Sequence, residues 1–213
     1  MTVLITGANR GVGAALLAKY SVEGMGALGT ARTDESLLPL DVTDPASVRA
    51  LADRLADTPV STLICNAGVL LDKHWDIDAP YAAGIFADTF AANVTGVFLT
   101  IQAFLPALRA TSGKIAIISS QMGSNTRNTG GSLAYRASKA ASLNLGRNLA
   151  NDLAPDGIAV GTYHPGWVRT DMGGDEADIS VEESANGLFD RITTLSMDTT
   201  GCFQTWDGRD HAL

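Results

Sequence analysis

The sequence predicts a single-domain α/β protein built on a doubly wound parallel sheet of about seven strands, with helices on both faces. Three observations predict it. Short β-branched runs alternate with helical stretches along the whole chain, a central run is apolar without two-residue alternation, and the first run ends in a glycine loop that opens a helix. A length of 213 residues, 46% hydrophobic and 18% charged, suffices for one substantial core and is too short for two ordinary domains. No internal repeat, low-complexity tract or linker divides it.

Val3-Leu4-Ile5-Thr6 reads as the first strand, ended by Gly7, and Gly11 to Tyr20 as a helix with Ala14, Leu17 and Ala18 on its inner face. A second strand covers Ala27 to Thr30, and a third short one ends at Asp41. Asp44-Pro45 supplies an N-cap with proline at the first helical position, and the helix that follows turns Val48, Leu51 and Leu55 inward. Thr62 to Cys65 is the fourth strand. A long helix near Asp88 to Ala110 carries Phe90, Val94, Val97, Phe98, Ile101, Phe104, Leu105 and Leu108 at helical spacing. Lys114 to Ser119 has the continuous apolar character of a strand covered on both faces. A second long helix, Tyr135 to Leu153, precedes a sixth strand from Ile158 to Tyr163; a helix from Val181 to Leu195 and a seventh strand from Cys202 to Thr205 complete the pattern.

Composition narrows the function. A formal charge of −8 lacks the surplus of Lys and Arg that nucleic acid requires. The first apolar run is too short for a signal-peptide core or membrane span, and no later apolar run reaches the length of a bilayer crossing, so a cytoplasmic protein with no membrane partner is expected. Cys65 and Cys202 are far apart and read as free thiols of the core in a reducing compartment. No His, Cys or carboxylate cluster has metal-ligand spacing, so no metal is expected.

The segment Thr6-Gly7-Ala8-Asn9-Arg10-Gly11-Val12-Gly13 lies where the first strand turns into the first helix. Gly7, Gly11 and Gly13 there allow a tight turn and close backbone approach to a pyrophosphate, whose charge meets free N–H groups at the helix N-terminus. At the end of the second strand an acid would bond the ribose hydroxyls of NAD, and a base would meet the 2′-phosphate of NADP. Thr30-Ala31-Arg32 stands there, and Arg10 in the glycine loop can reach the same phosphate, so NADP(H) is favoured over NAD(H). Asp34 and Glu35, just beyond, keep a ribose contact open.

Tyr135 and Lys139 lie four residues apart, on one face of the second long helix. A free tyrosine, with a pKa of about 10, is a poor acid–base catalyst at neutral pH, and a nearby cation stabilises its phenolate. Ser119-Ser120 ends the preceding strand, and Asn93 interrupts the apolar stripe of the other long helix. Against the catalytic reading stands an ordinary pair on a helix surface.

The G-x-x-x-G-x-G spacing resembles the short-chain dehydrogenase/reductase family, whose fold is the Rossmann fold. Later signatures carry the resemblance along nearly the whole chain. Asp41-Val42 resembles the family's adenine-contacting pair, and Asn66-Ala67-Gly68 its Asn-Ala-Gly signature beside the cofactor. Asn93, Ser120, Tyr135 and Lys139 match its catalytic tetrad in order. That resemblance implies that Ser120 bonds the substrate oxygen, Tyr135 gives or takes its proton, Lys139 lowers the tyrosine pKa and holds the nicotinamide ribose, and Asn93 fixes a relay water. Ser119 is the rival serine; Ser120-Gln121-Met122-Gly123 reproduces the family's Ser-x-x-Gly ending. Pro165-Gly166-Trp167-Val168-Arg169-Thr170 resembles the Pro-Gly loop at the nicotinamide, with Pro165, Gly166, Val168 and Thr170 as cofactor contacts, and its continuation to Gly174 resembles the sniffer-like carbonyl-reductase branch.

The resemblance implies an NADPH-dependent oxidoreductase acting on a small carbonyl or alcohol, assembled as a homodimer or homotetramer through the two long helices. A cofactor-binding sensor or scaffold, and a cofactor-free lyase or dehalogenase using the same Ser and Tyr, are the alternatives. Two departures from the family pattern bear on the site. Only eight residues separate Arg32 from Asp41, too few for the usual helix there, and Gly173 to Ser180, the expected substrate lid, is short and acidic. Trp75, Met122 and Trp167 are candidate pocket walls, and His164 reads as a packed strand-end residue.

Overall fold

The computed structural model describes residues 1–78, 80–127 and 129–212. Seven parallel strands form one sheet: β1 (Thr2–Ile5), β2 (Gly26–Ala31), β3 (Leu38–Pro39), β4 (Val60–Cys65), β5 (Lys114–Ile118), β6 (Ala159–His164) and β7 (Phe203–Thr205). Their spatial order is β3-β2-β1-β4-β5-β6-β7, so the direction of winding reverses at β1. In such a sheet the loops leaving β1 and β4 diverge at their carboxyl ends and open a crevice for a ligand.

Helices cover both faces: α1 (Gly11–Val22), α2 (Pro45–Arg54), α3 (Ala83–Phe90), α4 (Gly96–Thr111), α5 (Leu133–Leu153) and α6 (Val181–Thr194). One core joins α2, α4 and α5 to the sheet through Val48, Leu51, Val97, Ile101, Phe104 and Leu149. The opposite core joins α1 and α6 through Leu16, Tyr20, Leu188 and Ile192. Asp44 caps α2 by accepting from the Ala46 N–H at 2.9 Å, with Pro45 behind it, and Ser180 caps α6 by accepting from the Glu183 N–H. The chain runs from β2 to β3 through a turn with no helix between them.

Three expectations are corrected. The buried face of α1 is Gly13, Leu16 and Tyr20, whereas Ala14 and Leu17 are only half-buried and Ala18 is exposed. Close approach of Gly13 to the glycine loop sets this rotation. The first long helix begins at Ala83, before Asp88, and is broken by a π-helical turn over Ala91–Thr95. A π turn inserts a residue into the helical register, so Phe98 beyond it points outward, 39% exposed, while Val97 is buried. The whole stretch Ala83–Thr111 is long and apolar enough to cross a bilayer by length and composition, yet Val97, Ile101, Phe104 and Leu108 belong to the core against the sheet.

Candidate active site

The crevice at the carboxyl ends of β1 and β4 is built from short side chains. Gly7 and Gly11 have φ of +66° and +54°, conformations that glycine adopts without strain. A β-carbon on Gly13 would collide with the Gly7 carbonyl oxygen and with Asn66 Nδ2. The loop is fastened from β4. Asn66 Nδ2 donates to the carbonyls of Thr6 and Gly7 at 3.0 and 2.9 Å, and the Thr6 hydroxyl accepts from the N–H groups of Asn66 and Ala67, each at 3.0 Å. No side chain caps α1 at Arg10, which leaves the first-turn donors of Gly11, Val12 and Gly13 for a ligand. This cradle fits a pyrophosphate. Asn66 serves it by bracing the glycine loop, and Asn9 lies within the loop itself.

Arg32 leaves β2 exposed and close enough to Asp41 to hold that carboxyl below its ordinary range, behind the hydrogen bonds from Thr43 that do so most. Asp41 Oδ1 accepts from both the N–H and the hydroxyl of Thr43, at 2.9 and 2.7 Å, which ties the carboxylate to its own turn. Val42 packs onto the core, and its carbonyl stands against Gly96. Asp34 closes a turn on Ser36, with its Oδ1 accepting at 3.0 and 2.6 Å, so that oxygen is engaged away from any ribose. Arg10 differs from expectation: its Nη1 pairs with Asp171 Oδ2 at 2.7 Å, tying the glycine loop to the loop after β6. A β-carbon on Gly11 would also lie 3.3 Å from the Thr170 methyl.

The reactive groups gather between β4, β5 and α5. Tyr135 and Lys139 are 7% and 6% exposed, and Lys139 Nζ lies 5.5 Å from the centre of the tyrosine ring. Lys139 Nζ donates to the Ile118 carbonyl at 3.0 Å and lies beside Gly68, where a β-carbon would be 3.5 Å from it. Burial drives the Lys139 ammonium down to about 8. The expected lowering of the Tyr135 pKa by Lys139 is corrected here: burial outweighs it and pushes the phenol up to about 12, against a hydrogen bond with Ser120 that lowers it. The two serines part ways. Ser119 Oγ is spent inside, on the Lys139 carbonyl at 3.2 Å and Ser142 Oγ at 3.0 Å, whereas Ser120 faces Tyr135 and accepts from the Met122 N–H.

Asn93 sits in the π turn, 1% exposed. Its Oδ1 accepts from the Val69 N–H at 2.8 Å, and its Nδ2 donates to the Val69 carbonyl and to Ser138 Oγ, each at 2.9 Å. Both amide donors are therefore committed to protein groups, and any water at Asn93 must use its remaining acceptor capacity.

A family model described as short chain dehydrogenase matches residues 1–179. The chain belongs to the short-chain dehydrogenase family. It is 40% identical over 168 residues to the C-signal protein of Myxococcus xanthus, covering 76% of this chain and 98% of that one. The crystal structure of NADPH-bound carbonyl reductase from chicken fatty liver superposes with a TM-score of 0.90 at 31% identity, covering 100% of this chain and 98% of the other. Carbonyl reductase Sniffer of D. melanogaster gives 0.94 at 28% identity, covering 100% and 99%. The sniffer-like branch read from the Pro165 to Gly174 stretch agrees with these neighbours.

In this short-chain dehydrogenase the loop after β6 folds tightly on itself. Thr170 Oγ1 donates to the Val168 carbonyl and accepts from the Gly173 N–H, Trp167 Nε1 donates to the Gly173 carbonyl, and Val168 bridges to Ile179. The Thr170 hydroxyl, expected at the nicotinamide, is thus committed to its own turn. Gly166, at φ +92°, follows Pro165 and lets Trp206 and Ile179 pack against the backbone. Beyond it lies a cavity of about 550 Å³ lined by Gln121, Trp167, Ile179, Trp206 and His211 among others. Gln121 directly follows Ser120, so this cavity begins one residue from that serine. Of the three candidate walls only Trp167 lines it; Trp75 packs at a tilt against Tyr81 instead, with ring centres 5.6 Å apart. His164 is buried at the end of β6 and also lines the cavity.

Sequence reasoning missed two groups. Ser138 links Asn93 to the Tyr135 carbonyl, and Asp72 is a fully buried carboxylate in the loop after Gly68. Asp72 had one visible sign, an acid directly after the apolar run Val69-Leu70-Leu71.

Proposed function

We propose that this short-chain dehydrogenase reduces a small aldehyde or ketone to the alcohol with NADPH, using Ser120, Tyr135 and Lys139. The observation that carries the reading is the meeting of three buried side chains at the crevice: Ser120 is hydrogen-bonded to Tyr135, and Lys139 Nζ lies 5.5 Å from the centre of the tyrosine ring. The Tyr135 phenol is buried, raised to about 12 and set beside Ser120, so at neutral pH it holds a proton to give. That is the state reduction needs. Gly7, Gly11 and Gly13 would hold the pyrophosphate of a dinucleotide whose reduced nicotinamide would supply the hydride for the carbonyl carbon. As the carbonyl π electrons move onto oxygen, Tyr135 transfers its proton there and Ser120 donates a hydrogen bond to the same atom. Lys139, still mostly protonated at neutral pH, stabilises the resulting phenolate, which is reprotonated from solvent. In the reverse direction the same groups oxidise an alcohol.

Preference for NADPH rests on Arg32 at the end of β2 and Arg10 in the glycine loop, and accords with the NADPH bound to the chicken reductase. The body of the substrate occupies the cavity beyond Gln121 and Gly166. The apolar excess of Ala83–Thr111, of whose most apolar segment only 44% is buried in one copy, suits pairing with a second chain. Light scattering is expected to give a homodimer or homotetramer; a monomer would refute the assembly. Two unpaired thiols fit a reducing, cytoplasmic setting.

The test is NADPH consumption against aldehydes, ketones and quinones, with NADH and the Tyr135→Phe variant alongside. Turnover should fall at least about 100-fold in the variant while cofactor still binds. Retention of more than about a tenth of the activity would remove Tyr135 from the mechanism. A second reading, a cofactor-binding signalling protein without turnover, is favoured by one observation: the relative at 40% identity is named C-signal. NADPH-dependent partner association with no turnover on any substrate would select it.

A further inference from the structure

We propose that Asp72 is a positioning residue that fixes the first turn of α5 and thereby places Tyr135. This inference rests on the reading of Tyr135 as proton donor. The start of α5 lacks a local cap. Ser132 occupies the N-cap position at φ +47° and its side chain makes no capping bond. The first-turn N–H groups of a helix need acceptors from outside it, and Ala134 is fully buried, where water cannot serve. Asp72 meets this need from 62 residues away: its Oδ2 accepts from the Ala134 N–H at 2.7 Å. A carboxylate at this end of a helix also has the sign the helix dipole favours.

Ala134 immediately precedes Tyr135, so the bond holds the backbone on the N-terminal side of the catalytic residue. The other side is held too. Ser138 Oγ donates to the Tyr135 carbonyl at 2.7 Å, and Asn93 Nδ2 donates to Ser138 Oγ. Asn93 in turn grips both backbone groups of Val69, three residues before Asp72. Val69 to Asp72 therefore spans from the π turn to the start of α5, and closes a ring of bonds around Tyr135. Tyr81 steadies the carboxylate by donating its hydroxyl to Oδ2 at 3.1 Å, and the Tyr81 ring packs against Trp75 and Phe86. Asp72 reaches the chemistry through this backbone rather than by touching the reacting atoms.

Asp72→Ala and Asp72→Asn separate this role from plain stability. The asparagine oxygen can accept the same two bonds; alanine accepts none. Each variant is assayed for carbonyl reduction per cofactor-binding site, for NADPH affinity by fluorescence, and for hydrogen exchange of the amides over residues 133–136. Asp72→Ala should lose about 100-fold in kcat, the scale of a misplaced catalytic group. Its KM and NADPH affinity should stay within about twofold, and the Ala134 amide should exchange faster. Asp72→Asn should keep kcat within about fivefold. Near wild-type kcat in Asp72→Ala, or equal loss in both variants, overturns the proposal. If Asp72→Ala does not fold, Asp72→Ser, too short to reach Ala134, replaces it and must show the same loss. Wild type and Tyr135→Phe run alongside. Absence of wild-type turnover defeats the reductase reading, whereas an active wild type with an equally active Asp72→Ala defeats only the positioning role.

Discussion

At the scale of the residue, burial acts on Tyr135 and Lys139 in opposite directions. Taking each out of water disfavours its charged form, so the phenol rises to about 12 and the ammonium falls to about 8. Tyr135 then stays protonated across the physiological range, and Lys139 is the group that titrates. A lysine with a depressed pKa loses its charge as pH rises through that value. The rate of carbonyl reduction is therefore expected to decline above about pH 8, measured as kcat between pH 6 and 10 at saturating NADPH. A flat profile across that range would mean that the Lys139 charge plays no part. Tyr135 and Lys139 were legible in the sequence because helix geometry alone puts residues four apart on one face. The bond from Asp72 to Ala134 was not legible, because no local pattern pairs a loop carboxylate with an amide 62 residues later.

At the scale of the element, two features set how the site opens. The π turn at Ala91–Thr95 widens the helix where Asn93 must reach both Val69 and Ser138. Apolar periodicity placed a helix there correctly and could not show one inserted residue. The second feature is the Arg10–Asp171 pair, which joins the glycine loop to the loop after β6 with both side chains exposed, 72% and 78%. Exposed pairs contribute about 0–1 kcal/mol, so the pair can be exchanged for a phosphate. Asp171→Asn should free Arg10 and raise NADPH affinity by roughly two- to fivefold at low salt, with NADH unchanged. Titration of both cofactors by fluorescence checks this, and weaker NADPH binding would show that the pair aids binding by holding the two loops together.

At the scale of the whole molecule, two cores clamp the sheet and His164 lies at the edge where β6 meets the C-terminal segment. Burial holds its imidazole down at about 4, helped by His211, Arg127 and Arg209 and opposed by Asp207. Between that value and the ordinary 6.5 the unfolded chain binds the proton more readily than the folded one, so stability rises with pH over this window. The folded protein should lose about 3 kcal/mol from this group as pH falls from about 6.5 to 4. Denaturant unfolding of wild type and His164→Asn at pH 7 and pH 4.5 isolates the effect: the variant should lose less stability than wild type. Equal losses would place the acid sensitivity in the carboxylates.

The sequence by itself determined the alternation of strands and helices, the glycine turn after the first strand, and the order of Ser120, Tyr135 and Lys139. Each of these depends on side-chain size, backbone freedom or periodicity over a few residues. Only the tertiary structure decided which face of α1 is buried, that Arg10 pairs with Asp171, that Ser119 turns inward while Ser120 meets Tyr135, and that Asp72 caps α5. Each of those depends on groups that are distant in sequence being brought within bonding range, and that distance is fixed by how the whole chain packs.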